Sequence, residues 1–204
     1  MTVTPMMVDL KGKNIVVIGG GKVAERRINS LLDSEANITV VSPTLTVHLL
    51  ALSEQQNIIW KQKEFSPDDI HGAFLIISAA NNTAVNKEVI KNAPPDCLLN
   101  AASHAEWGNV HFPAHVKRGK LSIAISTGGA SPILAKKLKQ EIQSTYDGRY
   151  ETYLDFLFEA RQLLKQLDLP KQQKKTYLHD FLSHTYLDKE KQREALHLLH
   201  SYIN

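Results

Sequence analysis

The chain has 204 residues, 43% of them hydrophobic and 22% charged, with a formal net charge of +3. That length buries a real core in one or two domains, while the longest apolar runs fall far short of a membrane span and the start lacks the basic-then-apolar pattern of a secretory signal. One cysteine, Cys97, excludes an internal disulfide and argues against a cysteine metal site, so a cytoplasmic protein with no membrane partner is expected.

In chain order, Met6–Leu10 is a short apolar piece ending at the Lys11-Gly12 turn, placed to add an edge strand or to cover the sheet. Asn14–Ile18 reads as a strand that runs straight into Gly19-Gly20-Gly21, and a helix-compatible run from Val23 to Leu32 follows. Gly19-x-Gly21-x-x-Ala24 fits the dinucleotide fingerprint in its G-x-G-x-x-A form. Gly19 permits the sharp turn, Gly21 lets a pyrophosphate approach bare backbone, and Ala24 lets the helix pack close to the strand. The free amides and the positive dipole end of that helix then face an anion.

A second strand at Asn37–Val41 completes a βαβ unit. It ends in Ser42-Pro43-Thr44, where there is neither an acid for the ribose hydroxyls nor an arginine for a 2′-phosphate. That rule therefore leaves NAD against NADP open. Leu45–Glu54 reads as a short helix, Ile58–Trp60 as a short strand, and Ser66 before Pro67 as a helix cap. Ala73–Ser78 is a continuous apolar run of the kind found in central parallel strands. It opens into Ala79-Ala80-Asn81-Asn82, and a helix over Thr83–Asn92 stops at Pro94-Pro95. Cys97–Asn100 is a further strand, leading to a loop that carries Ser103, His104 and His111, with His115 just beyond. This alternation predicts a doubly wound α/β fold whose ligand lies at the carboxyl ends of the strands.

Beyond that loop the charge changes. Residues 1–112 hold nine Lys and Arg against eleven Asp and Glu, residues 113–204 fifteen against ten. Between 113 and 140 there are six basic residues and no acidic one, which suits an anionic ligand. No basic patch is interleaved with aromatics, so nucleic acid is not indicated. Leu121–Ser126 alternates with period two, as a strand with one wet face does. Thr127-Gly128-Gly129-Ala130-Ser131-Pro132 follows, with Ser131 as N-cap and Pro132 at the first helical position. It is a second place where backbone amides can meet carboxylates or phosphates. From Tyr146 the chain reads as helical, with an apolar stripe at Tyr153, Leu157, Ala160, Leu164 and Leu167 broken by Pro170. Thr176–His184 and Lys189–Ile203 are further amphipathic segments, the last with Ala195, Leu198, Leu199 and Tyr202 on its apolar face.

The combination of motifs carries a resemblance. Leu10-Lys11-Gly12-Lys13, then Val17-Ile18-Gly19-Gly20-Gly21-Lys22-Val23-Ala24-Glu25-Arg26-Arg27, Ser78-Ala79-Ala80-Asn81-Asn82 with Val85-Asn86, Asn100, Phe112-Pro113 with Arg118, and Ile125–Pro132 occur in order. Together they resemble the precorrin-2 dehydrogenases, the siroheme-synthase N-terminal family, clearly over about residues 8–140 and loosely beyond. The resemblance implies an NAD-binding Rossmann-like domain over 1–112, a central dimerisation and substrate-binding segment over 113–145, and a helical domain over 146–204. It implies a homodimer that oxidises precorrin-2 to sirohydrochlorin with NAD, on the way to siroheme or cobalamin. By resemblance, Gly19, Gly21, Lys22 and Val23 hold the cofactor's phosphate end, Pro43 and Thr44 its adenosine end, and Ala79 and Ala80 its nicotinamide end. Arg118, Ser126, Thr127, Gly128, Gly129 and Ser131 are the expected substrate residues, since the substrate is a polycarboxylate.

Family members that also insert iron have an aspartate where this chain has Ser103. A metal-inserting site needs a base for the pyrrole protons, and serine unaided is a poor one. The expectation is a dehydrogenase without resident metal, handing its product to a separate chelatase, with His104 beside Ser103 as the group that takes a proton. A bifunctional dehydrogenase and chelatase, and a non-catalytic tetrapyrrole- or metal-binding relative, are the alternatives.

Overall fold

The structure is a computed structural model that describes residues 3–203. The chain divides into two compact units at the Phe112–Pro113 junction. In the first, β1 (Asn14–Ile18), β2 (Asn37–Val41), β3 (Ile59–Lys61), β4 (Leu75–Ser78) and β5 (Leu98–Ala101) form one all-parallel sheet in the order β3-β2-β1-β4-β5. Helices α1 (Lys22–Asn29), α2 (Val47–Glu54) and α3 (Thr83–Asn92) connect strands.

A strand covered on both faces must be apolar where it is covered, and β1 is so from Ile15 to Ile18 and β4 from Leu75 to Ile77. Ile15, Val17 and Ile77 pack with Ala24, Ile28, Leu49 and Leu52 from α1 and α2. Val16, Ile18 and Ile76 pack with Ile70, Val89 and Leu99 in a second cluster. Full burial of one such isoleucine is worth about 1.5–3 kcal/mol, so the two clusters fix the register. In that register Ile18 lies opposite both Val41 and Ser78, and Ser78 opposite Ala101. The loops after four strands thus leave the sheet at one level.

Met6–Leu10 adds no strand among the described residues. Only Leu10 packs on the core, while Met6 and Met7 are each 75% exposed. The turn over Pro67–Ile70 has the predicted Ser66 cap, reinforced by Asp69 in a capping box.

The second unit opens with a hairpin, β6 (Ala114–Arg118) and β7 (Leu121–Ile125), followed by α4 (Pro132–Thr145). The sequence reading has β7 but no β6, because Val116 is the only fully buried residue of that strand. Its signal is the two-residue loop Gly119-Lys120, with Gly119 at φ +53. Helices α5 (Arg149–Gln166), α6 (Lys171–Asp180) and α7 (Lys189–Ser201) enclose a third cluster around Tyr153, Phe156, Ala160, Leu164, Phe181 and Leu199. The Tyr153 hydroxyl donates to the Phe181 carbonyl at 2.8 Å. Two details depart from the pattern reading. α6 starts directly after Pro170, ahead of the expected Thr176. On α7 the buried residues are Leu199 and Gln192, while Leu198 and Tyr202 face outward.

Candidate dinucleotide site and basic segment

Strand order turns at β1: the chain moves outward to β2 and β3, then crosses to β4 on the other side. The crevice between the carboxyl ends of β1 and β4 is the switch point where open α/β sheets take ligands. Three glycines fill it for three different reasons. Gly19 has φ +114, and a Cβ there would lie 2.5 Å from the Ala79 carbonyl oxygen. Gly20 is crossed by the loop after β2, so its Cβ would meet the Thr44 carbonyl oxygen at 2.1 Å. Gly21 has ordinary extended backbone and open space, the nearest atom to a Cβ being Asn81 Oδ1 at 3.8 Å.

Gly21 is also the N-cap of α1, and no side chain caps that helix. By contrast, the hydroxyl of Thr46, the amide of Asn82 and the hydroxyl of Ser131 cap α2, α3 and α4. The first-turn amides of α1 are thus left for an outside acceptor, beside a residue that leaves the approach clear. A pyrophosphate fits that cradle. At Lys22 only the main-chain amide faces that cradle uncapped, since its ammonium turns back onto Glu25 at 3.0 Å.

The loop after β4 is held by a buried clamp. Asn86, 3% exposed on α3, accepts from the Ser78 hydroxyl at 2.8 Å and from the Ala80 amide at 3.0 Å. Its own amide donates to the Ala80 carbonyl at 2.8 Å. The main chain of Ala79 and Ala80 is fixed as a result, and the Ala79 amide is tied to Ile18 at 2.9 Å. On the far side of the turn, Pro43 and Thr44 are exposed, and the Thr46 amide donates to the Gly20 carbonyl at 3.0 Å.

After β5 the chain folds back along the strand's free edge. The Asn109 side chain accepts from the Leu99 amide at 2.7 Å and donates to the Cys97 carbonyl at 3.0 Å. Asn100 donates to the Val110 carbonyl at 2.8 Å, and its buried Oδ1 has no partner. Ser103 is exposed, with its hydroxyl 3.1 Å from His104 Nδ1. The His104 ring stacks on Trp107, centroids 3.9 Å apart and planes 7° from parallel. Nδ1 faces the Ser103 hydroxyl and the Trp107 ring fixes the plane of the imidazole. The Cys97 thiol is buried, and burial pushes its pKa up, which makes it a packing residue rather than a nucleophile.

The remaining predicted residues belong to the second unit. Gly128 and Gly129 have φ +59 and +86, and nothing lies near either position. The surrounding hydroxyls satisfy this turn. Ser126 accepts from the Gly128 amide at 3.1 Å, Thr127 from the Ser131 amide at 3.2 Å, and Ser131 from the Leu134 amide at 3.1 Å. Arg118 donates to the Lys117 carbonyl at 2.9 Å, and its buried Nε has no partner. Lys136, Lys137 and Lys139 follow on α4. The imidazole of His115 is pushed below its ordinary value by burial first, then by Lys117 and Lys139.

The structure therefore brings Gly19, Gly21, Lys22, Val23, Pro43, Thr44, Ala79 and Ala80 to one end of one sheet, with Ser103 and His104 on a neighbouring loop. The expected substrate residues form a separate group in the other unit. Sequence spacing misses the crossing over Gly20, the Asn86 clamp and the contact between Glu25 and Thr46. Among the described residues no group of three or more His, Cys, Asp or Glu is arranged to hold a metal, and no helix is long and apolar enough to cross a membrane.

Comparison with known proteins covers almost the whole chain. An NAD(P)-binding family profile matches residues 6–114, a sirohaem biosynthesis protein central profile 118–145, and a SirC C-terminal domain profile 150–195. Precorrin-2 dehydrogenase of Priestia megaterium is 40% identical over 198 residues, 97% of this chain and 98% of that protein. Precorrin-2 dehydrogenase of Bacillus subtilis is 37% identical over 157 residues, 77% of this chain and 97% of that protein. A solved structure described as "SirC, precorrin-2 dehydrogenase" superposes with a TM-score of 0.85 at 39% identity, covering 98% of this chain and all of that one.

Proposed function

The chain belongs to the precorrin-2 dehydrogenase family, and from that premise we propose that this NAD-dependent oxidoreductase converts precorrin-2 to sirohydrochlorin and stops there. The observation that carries the reading is the uncapped first turn of α1 at the switch point, a cradle shaped for a dinucleotide pyrophosphate. Bound NAD supplies the centre that accepts a hydride from a reduced carbon of the macrocycle. Everything else falls to the chain's own residues. Gly19 and Gly21 admit the pyrophosphate, Pro43 and Thr44 border the adenosine end, and the Asn86-held Ala79 and Ala80 border the nicotinamide end. His104, held by Ser103 and Trp107, takes the proton released as the ring system gains conjugation. Arg118 and the Ser126–Ser131 turn meet the carboxylates of the substrate, with the lysines of α4 supplying positive potential.

Two further features go with this reading. The hairpin and α4 bury little on their own: α4 has no buried residue, and Ile133 is 83% exposed. A second copy of the chain is the natural cover, giving a homodimer. Ser103 supplies no carboxylate for metal insertion, and the chain matches nearly the full length of both dehydrogenases. The product then passes to a separate chelatase, in a cytoplasm that suits one free, buried cysteine.

The test is the appearance of NADH absorbance when the protein meets precorrin-2 and NAD, repeated with NADP. The wild type is expected to turn over with NAD. Absence of NADH in the presence of bound NAD overturns the assignment, and acceleration of Fe²⁺ or Co²⁺ insertion into sirohydrochlorin overturns the dehydrogenase-only part. His104→Ala is expected to lower turnover by roughly 100-fold. Undiminished turnover excludes His104 as the base.

A further inference from the structure

Glu25 lies one turn into α1, on the side that faces the start of α2. Its side chain is 15% exposed although it carries a charge. Both carboxylate oxygens are in use. Lys22 donates to them at 3.0 and 3.3 Å, and the Thr46 hydroxyl donates to Oε2. Thr46 is the N-cap of α2: its hydroxyl oxygen accepts from the Leu49 amide at 3.3 Å. Its main-chain amide is the donor that ties the loop after β2 to the Gly20 carbonyl. The other end of that loop is fixed independently, because Trp60 donates from Nε1 to the Ser42 carbonyl at 2.9 Å. Between the two anchors stand Pro43 and Thr44, with the Thr44 carbonyl pressed onto Gly20.

We propose that Glu25 is a positioning residue for the dinucleotide: it latches the loop Ser42–Thr46 against the glycine turn, so that the adenosine half meets a preformed wall. The proposal rests on the dinucleotide reading of the same crevice and adds to it a residue that touches no part of the cofactor. Without the Glu25 contact the Thr46 end is held to Gly20 by one main-chain bond alone, so the loop samples positions away from Gly20 more often, and binding must then order it again, which weakens affinity without altering the reacting end. The direction of the Glu25 titration agrees. The Thr46 hydroxyl first, and Lys22 second, hold its carboxyl below the ordinary range, so the latch is charged and closed at neutral pH.

The test is calorimetric binding of NAD, ADP-ribose and nicotinamide mononucleotide to the full chain, beside steady-state kinetics. Glu25→Ala is expected to weaken NAD and ADP-ribose alike, by about tenfold, and to leave nicotinamide mononucleotide unchanged. The same variant raises KM for NAD far more than it lowers kcat. Thr46→Val reproduces the loss and Thr46→Ser restores affinity. Glu25→Gln, which keeps an acceptor for Thr46, falls between and serves where the alanine variant folds poorly. Undiminished ADP-ribose affinity in Glu25→Ala or Thr46→Val overturns the latch, as does a lower melting temperature with unchanged affinity. Failure of the wild type to bind NAD at all would instead remove the dinucleotide reading beneath it.

Discussion

Two glycine-rich turns lead into helices in this chain, one at Gly19–Gly21 before α1 and one at Gly128–Gly129 before α4. Their sequences look alike, yet they are built differently. In the first, neighbouring main chain dictates the glycines, at Gly19 together with a positive φ: the Ala79 and Thr44 carbonyl oxygens occupy the places where side chains would begin at Gly19 and Gly20. In the second, backbone conformation alone demands glycine, since both residues have positive φ and open surroundings. The helix starts differ as well. α1 begins uncapped, whereas Ser126, Thr127 and Ser131 have already taken amides of the second turn. A turn that keeps its amides free within tightly packed main chain is a receptor for an anion. A turn that satisfies itself leaves only side chains to offer, here hydroxyls with lysines behind them, and under the proposed function these meet the substrate's carboxylates.

The comparison breaks most sharply by adding single methyl groups. Gly20→Ala places a carbon against a carbonyl that cannot move without opening the loop after β2. The expected loss is about 2–3 kcal/mol of stability for the first unit, and NAD affinity falls by roughly 100-fold through calorimetry. Gly128→Ala meets no atom and costs only the left-handed backbone, about 1 kcal/mol, with NAD affinity intact. Equal effects at the two positions would mean that the turns are not built differently. A smaller pair sharpens the point. Gly21→Ser has room for its side chain and backbone suited to an N-cap, so it supplies the cap that α1 lacks. Stability is expected to hold or rise by about 1 kcal/mol while NAD affinity drops at least tenfold. Ser131→Ala, which removes a cap, loses about 1 kcal/mol of stability in thermal unfolding.

Much of this was legible in sequence, and the limits are physical. β1, β4 and α3 are marked by unbroken apolar runs and by caps, which are local signals. Gly19 and Gly21 follow from spacing. Gly20 does not, because the atom that forbids a side chain there belongs to Thr44, on the far side of a helix and a strand. Glu25 and Thr46 are likewise 21 residues apart, and nothing in either neighbourhood announces the other. Asn86 is visible in sequence as part of the Val85-Asn86 motif, but what it does is seen only in its three bonds to Ser78 and Ala80. β6 escapes because a hairpin strand with one fully buried residue carries almost no hydrophobic period. In α6, the polar run Lys171–Lys175 is helical because Pro170 starts the helix, a signal that an apolar stripe cannot report.

The smallest predicted effect tests whether the fold of the second region, through burial first and lysines second, keeps an imidazole neutral. His115 bonds to the Ser122 hydroxyl at 2.7 Å, and its imidazole is pushed down by burial first, then by Lys117 on its own strand and Lys139 from α4. A histidine whose folded value lies below its unfolded one binds fewer protons folded than unfolded as the solution acidifies. Its contribution to stability is therefore complete above about pH 6.5, the ordinary imidazole value, and is lost as pH falls through the lower folded value. The effect is small because the imidazole is only partly covered and solvent screens the two lysines. Thermal unfolding between about pH 8 and pH 5 is expected to show a modest acid-side loss for the wild type. His115→Gln, which keeps a partner for Ser122 but cannot titrate, loses that component. Identical curves for the two proteins would show that neither burial nor the two lysines disfavours the charged imidazole in the folded chain.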